Sequence, residues 1–204
     1  MKKLFLILEV VLILVLFLGC TDSPSENPEK ISFSYSSGAM HLDWGSFEVS
    51  VDSSGNGILL KKMGMSMELQ KTFSLSQEEM KEVFNTASKN GFFSLNDSYD
   101  DPFVMDGGWS KISISTDSST KTVSMYNYSL QQFSTVESKI ASLVNEKLGA
   151  NAFDLSEFRD YCPQKETECK NFIMSDECNP ENPSEVNEDC FICLDWWDYC
   201  GWEE

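Results

Sequence analysis

Histidine is nearly absent from the sequence, because His41 is the single one among 204 residues. One histidine excludes the paired histidines of an HExxH metalloprotease and any site built from repeated histidine ligands. The Gly-x-Ser-x-Gly, Gly-x-Gly-x-x-Gly and P-loop patterns, which mark nucleophile, dinucleotide and phosphate sites, are missing as well. We therefore predict no catalytic residue and no cofactor. The enzyme hypothesis that stays open is an envelope hydrolase that uses a pair of acidic side chains.

Basic residues are also scarce. Lys and Arg number 15 against 33 Asp and Glu, which gives a formal net charge of -18. Nucleic acids and anionic lipid surfaces attract proteins through basic patches, so neither is predicted as a partner. Residues 154–204 carry fifteen acidic and three basic residues. This shift in composition predicts a boundary near residue 150.

No apolar run is long enough to span a membrane comfortably. The run over residues 4–18 has 15 residues and is interrupted by Glu9, whereas a spanning helix needs about 20. Two lysines precede it and Gly19-Cys20 follows it, which is the order of basic, apolar and small residues in an export signal. The segment resembles the signal of bacterial and archaeal lipoproteins, with Phe17 in place of the usual leucine three residues before the cysteine.

This resemblance predicts where the protein works. A signal peptide over 1–19 would be removed, and Cys20 would carry the lipid that holds the chain at the cell membrane, facing the extracytoplasmic side. An uncleaved anchor and a freely secreted form are the alternatives, and both also place the domain outside the cytoplasm. Residues 20–30 contain two prolines and no large apolar residue, which predicts a flexible tether.

Alternating apolar residues predict strands in the next segment. A hairpin partner over 58–63, a further strand over 65–73 and a resumed extended stretch over 92–95 complete the predicted strands. The alternating positions are Ile31, Phe33, Tyr35, Phe47, Val49, Val51, Trp109, Ile112, Ile114, Val123 and Met125.

Two helices interrupt these strands. Ser76 and Glu79 form a capping box before the apolar stripe of the first helix, which Asn90-Gly91 ends. Apolar residues recur at helical spacing over 130–148, and Gly149 ends this second helix. The pattern predicts an α+β domain over 31–149, an antiparallel sheet with two helices packed on one face, followed by an acidic, cysteine-rich tail over 150–204.

The segment 73–99 (FSLSQEEMKEVFNTASKNGFFSLNDSY) resembles a family of small exported prokaryotic lipoprotein domains of unknown function. The resemblance extends over about 31–148 and leaves out the tail. It implies a fold and a location, and no activity is carried over. The matching positions are turns and core residues: Gly55 or Gly57, Glu79, Gly91, Phe92, Phe93, Leu95, Tyr99, Asp106 and Gly107.

Six cysteines lie in the tail, an even number once Cys20 is set aside. A short, polar exported segment cannot bury enough apolar area to hold itself, so we predict three disulfides, whose pairing the sequence does not choose. Cys190 and Cys193 form a Cys-x-x-Cys motif, which offers two alternatives: a zinc site completed by other tail cysteines, or a redox-active dithiol. The six residues are Cys162, Cys169, Cys178, Cys190, Cys193 and Cys200.

Aromatic and sulfur-containing side chains supply the remaining site candidates. Trp196, Trp197 and Trp202 could stack on a glycan or anchor an envelope protein, or they could fill a small core within the tail. A Met-x-Met-x-Met pattern could hold copper(I), or it could be core packing near a hairpin bend. We predict a membrane-anchored, non-catalytic binding protein, with copper binding as an alternative. The copper candidates are Met63, Met65, Met67 and His41.

Overall fold

A computed structural model describes residues 28–39, 45–64, 67–104, 107–173, 192–193, 196 and 199–201. The predicted signal peptide, Cys20 and residues 21–27 of the predicted tether lie outside the described residues. Among the helices that are described, none is both long and apolar enough to cross a membrane.

One seven-stranded sheet forms the centre of the described chain. Its strands are β1 Ile31–Ala39, β2 Ser46–Val51, β3 Asn56–Met63, β4 Met67–Ser74, β5 Ser98–Asp100, β6 Gly108–Thr116 and β7 Thr120–Tyr126. They lie in the order β4-β3-β2-β1-β6-β7-β5. Neighbours pair antiparallel, except that β5 pairs with β7 in parallel. The central strand β1 therefore joins a meander of consecutive hairpins to the β6–β7 hairpin.

Two helices cover one face of this sheet, as predicted. They are α1 (Gln77–Lys89) and α2 (Gln131–Leu148), and they pack against each other and against the sheet. Alternate residues of the strands point toward them and form one buried core with their apolar stripes. The α+β class and the largely antiparallel sheet are thus confirmed.

The start of α1 is fixed by the predicted capping box. The Glu79 N–H donates to Ser76 Oγ at 3.2 Å, and the Ser76 N–H donates to Glu79 Oε2 at 2.7 Å. Two backbone donors that a helix start leaves unpaired are satisfied in this way. Glu79 also forms an ion pair with Lys147 of α2 at 2.6 Å, so the same carboxylate links the two helices.

The segment after α1 differs from its predicted extended conformation. Phe92–Ser94 forms one turn of 3₁₀ helix, entered through Gly91 at φ 76°. Two adjacent phenylalanines cannot share one face of a strand, because strand side chains alternate. The compact turn lets both pack, Phe92 against Phe133 of α2 and Phe93 against Phe84 of α1.

The tail begins with a second 3₁₀ helix, Leu155–Tyr161, which continues into helix α3, Cys162–Ile173. α3 adds a third helix to the predicted two. Cys162 and Cys200 lie at disulfide distance with their Cα atoms 5.7 Å apart, and Cys169 and Cys193 do so at 5.2 Å. The cysteine-rich tail therefore contains two disulfide-distance pairs, while Cys178 and Cys190 lie outside the described residues.

Candidate functional site

The sheet face opposite the helices is open and rich in hydroxyl groups. On β1 every second residue from Ile31 to Tyr35 is buried, so the intervening serines point away from the helices. The antiparallel register extends this face across β2 and β6. Its residues on the three central strands are Ser32, Ser34, Ser36, Ser46, Glu48, Ser50, Trp109, Lys111, Ser113 and Ser115.

Trp109 is the large side chain among these small and polar residues, and it lies opposite Gly38 of β1. A Cβ atom built on Gly38 would lie 3.2 Å from both Cζ2 and Nε1 of the indole. The ring therefore lies across the glycine, close to the backbone of the sheet. Tyr126 lies opposite Trp109 on β7 and is 42% exposed. Together the two side chains give the open face an aromatic patch.

An open concavity of about 420 Å³ adjoins this patch. Lys62 on its wall forms an ion pair with Glu68 at 2.9 Å. This hydrogen bond raises the pKa of Lys62, and the charges of Glu68 and Glu48 act in the same direction against some loss of hydration. Both signs of charge thus stand beside hydroxyl groups and an aromatic ring. The lining residues are Ser36, Ser46, Phe47, Glu48, Lys62, Trp109 and Lys111.

A second concavity, of about 430 Å³, lies between the end of α2 and the start of the tail. Glu157 on its wall accepts from Lys61 Nζ at 2.6 Å and from Lys71 Nζ at 2.7 Å. Burial raises the pKa of Glu157, but the two lysines outweigh it and hold that pKa below its ordinary value. Glu157 of the tail thus bridges Lys61 of β3 and Lys71 of β4, so the cluster joins the tail to both strands.

The predicted copper ligands do not share one strand. Met63 ends β3 and Met67 begins β4, and the two residues lie opposite each other in the hairpin. Both are buried against Phe158 and Trp196 of the tail. Met65 and His41 lie outside the described residues, so copper binding stays a prediction.

Of the three predicted tail tryptophans, the structure describes Trp196. Trp196 is 3% exposed and packs against Phe158 and Tyr199, with ring centroids 5.9 and 6.3 Å away. Its ring fills a small core between the tail and the sheet instead of presenting a face to solvent. Trp197 and Trp202 lie outside the described residues.

The sequence reasoning placed Trp109 of the first concavity among the alternating apolar positions and named no role for Lys61, which contacts Asp154 and Glu157 of the second, although strand periodicity marks both residues. Trp109 is out of phase with Ile112 and Ile114, which places it on the open face and not in the core. Lys61 is in phase with Leu59, which places a charged side chain on the buried face. A residue in the wrong phase of a strand was the available signal.

A match to a known family covers strands β2 to β7, helix α1 and most of α2, and it leaves out β1 and the tail. Residues 45–144 match the family model described as Domain of unknown function (DUF6438). The DUF6438 match spans just under half of the chain, from the start of β2 into α2, and includes Glu48, Lys62, Trp109 and Lys111. The expected resemblance to a domain family of unknown function is confirmed to that extent. No curated protein matches the chain.

Proposed function

We propose that this protein is a lipid-anchored binding protein on the extracytoplasmic side of the cell membrane. A lipid on Cys20 would hold it at the bilayer, and residues 20–30 would tether the DUF6438 domain. The observation that carries the proposal is the pairing of tail cysteines, Cys162 with Cys200 and Cys169 with Cys193.

Cysteine pairing supports export because disulfides persist in oxidising compartments and are rare where thioredoxin and glutathione keep thiols reduced. The apolar run over 4–18, with its basic start and Gly19-Cys20 end, supports export independently. A lipoprotein typically carries more than one acyl chain, and two or more chains are needed for stable attachment to a bilayer. The N-terminal sequence and the cysteine pairs of the tail therefore both favour a location outside the cytoplasm.

A binding role is favoured by the composition of the concavity beside Trp109. A hydrolase of the acidic type needs two carboxyl groups at one site, whereas this wall places one carboxylate, Glu48, among lysines, serine hydroxyls and an indole. A polar sheet face with an aromatic patch is suited to an envelope protein or a glycan.

Intact mass of the membrane-extracted protein tests the proposal. We expect a chain that begins at residue 20 with added lipid, and no alkylation of the six tail cysteines under non-reducing conditions. Cys20→Ser is the matched control, and it should keep an unprocessed, lipid-free N-terminus. A wild-type chain with an intact signal segment would refute the anchor, and alkylated tail cysteines would refute the oxidised tail.

A further inference from the structure

We propose that the concavity beside Trp109 binds a neutral glycan, with one sugar ring stacked on the indole. This inference rests on the proposed function, since it names the ligand class of the open sheet face. It is carried by the placement of the indole, the mixture of polar groups around it and the charge of the whole chain.

The indole of Trp109 is held as a platform. Gly38 leaves the space in which the ring lies against the sheet, because a Cβ there would lie 2.7 Å from the Cβ of Ser46 and 3.2 Å from the ring. A ring fixed in this way loses little conformational entropy when a ligand binds. The face of an indole is electronegative, and the C–H groups of a pyranose ring are weakly positive, so the two stack favourably.

The polar groups around the platform fit sugar hydroxyls. Lys62 and Lys111 donate hydrogen bonds, Glu48 accepts them, and the serine hydroxyls of the wall do both. A sugar hydroxyl is also both donor and acceptor, so this mixture can satisfy several hydroxyls of one ring. A simple ion would instead require groups of one sign. The volume of about 420 Å³ lies within the range of small-ligand sites.

Charge selects a neutral glycan over an acidic one. The chain carries a net charge of -18, which repels polyanions at long range. Within the site, Lys62 is paired with Glu68, and the charge of Glu48 offsets that of Lys111, so the local charges balance. Tyr126 extends the aromatic surface from Trp109 toward β7, so a second sugar ring has a contact next to the first.

Calorimetric titration of the detergent-extracted full chain tests the inference, in a detergent without a sugar headgroup. The probes are cello-, malto-, chito- and mannohexaose, with hexagalacturonate as the acidic probe. We expect at least one neutral hexasaccharide to bind more tightly than hexagalacturonate. Trp109→Ala should weaken that binding at least tenfold, and Glu48→Gln should weaken it severalfold. Tyr161→Ala, an exposed aromatic of the tail, is the matched control and should bind as the wild type does.

Three results would overturn the inference: no binding of any neutral probe, tighter binding of hexagalacturonate, or binding that Trp109→Ala and Glu48→Gln both leave unchanged. Glu48 is exposed on the open face, so Glu48→Gln tests the site even where Trp109→Ala disturbs folding. The mass measurement separates this inference from the proposed function. A lipid-modified chain that binds no neutral sugar refutes the glycan alone, whereas an unmodified chain that binds one refutes the anchor alone.

Discussion

Lys61 is a charged side chain with no exposed surface, in the buried phase of β3. Moving an ammonium group out of water costs several kcal/mol unless a partner compensates for it. Its Nζ donates to Glu157 Oε2 at 2.6 Å and to the Asp154 carbonyl at 2.7 Å. Both partners belong to the start of the tail, more than 90 residues further along the chain. The burial of this lysine therefore depends on the docking of a segment that is distant in the sequence.

Glu157→Gln should destabilise the protein by about 3 kcal/mol, because removing one partner of a buried ion pair leaves the other charge uncompensated. Glu68→Gln breaks the exposed pair with Lys62 and is the matched control, with an expected loss below about 1 kcal/mol. Urea denaturation at pH 7 measures both. If both variants lost the same free energy of unfolding, burial of Lys61 would not strengthen its ion pair with Glu157.

The same carboxylate predicts an acid-dependent loss of stability. The folded-state pKa of Glu157 lies below its ordinary value of 4.5, so the stabilisation is present above pH 4.5 and is lost as the pH falls through the folded-state pKa. The difference between wild type and Glu157→Gln should therefore shrink toward acid pH. A difference that is constant from pH 7 to pH 3 would contradict this assignment.

Among the elements, the two helices of the domain were predictable because their signals are local. The Ser76 capping box and the apolar stripe of α1 lie within a few turns, and α2 repeats its stripe over 18 residues. The Phe92–Ser94 turn was missed because its conformation follows from packing against both helices. Helix α3 was not predicted although Pro163, just after its first residue, is a common helix-start signal, because its polar sequence carries no clear apolar stripe.

Ser76→Ala should cost about 1 kcal/mol, because the N–H of Glu79 loses its acceptor at the start of α1. Ser88→Ala is the matched control, since Ser88 is an exposed position within the same helix and should change stability by less than about 0.5 kcal/mol. Urea denaturation of both variants measures the difference. If the two substitutions were equivalent, the capping box would contribute nothing beyond helix propensity.

The open face of the sheet shows where prediction from sequence stops. Strand alternation establishes that one face is polar, yet the concavity needs Gly38, Lys62 and Trp109 from three strands in one register. Strand order and register follow from tertiary packing, because β1 pairs with β6 across about 70 residues of intervening chain. No local motif in the sequence therefore marks the residues that the sheet brings together.

At the scale of the whole molecule, the tail closes one end of the sheet. Met63 and Met67 are buried there by Phe158 and Trp196. Phe158 lies next to the Lys61 ion cluster, and Trp196 lies between Cys193 and Cys200 in the sequence, each of which pairs with a cysteine of α3. These attachments differ in kind. Glu157 of the ion cluster and Phe158 belong to the 3₁₀ helix Leu155–Tyr161, whereas Trp196 belongs to the segment that the two cysteine pairs link to α3. The predicted boundary near residue 150 thus precedes an anchored segment and a cross-linked one.

Loss of the cysteine pairs should therefore release only the last part of the chain. In a variant with Cys162, Cys169, Cys193 and Cys200 changed to serine, Trp196 should leave its site, while the sheet and the first two helices stay folded. Each bridge constrains a loop, with sequence separations of 38 and 24, and its removal costs on the order of 2–5 kcal/mol. Limited proteolysis with mass spectrometry should find residues 192–201 released from a resistant fragment over 31–161.

The oxidised wild type, digested in parallel under non-reducing conditions, is the control, and its residues around Trp196 should stay linked to α3 through the two cysteine pairs. The expected pattern follows from the two kinds of attachment, since Glu157 and Phe158 keep their contacts with Lys61, Met63 and Met67 in the variant. Rapid digestion of the whole domain would show that the bridges support the main core. An undigested tail would show that packing of Trp196 suffices to hold it, and that the cysteine pairs serve another purpose.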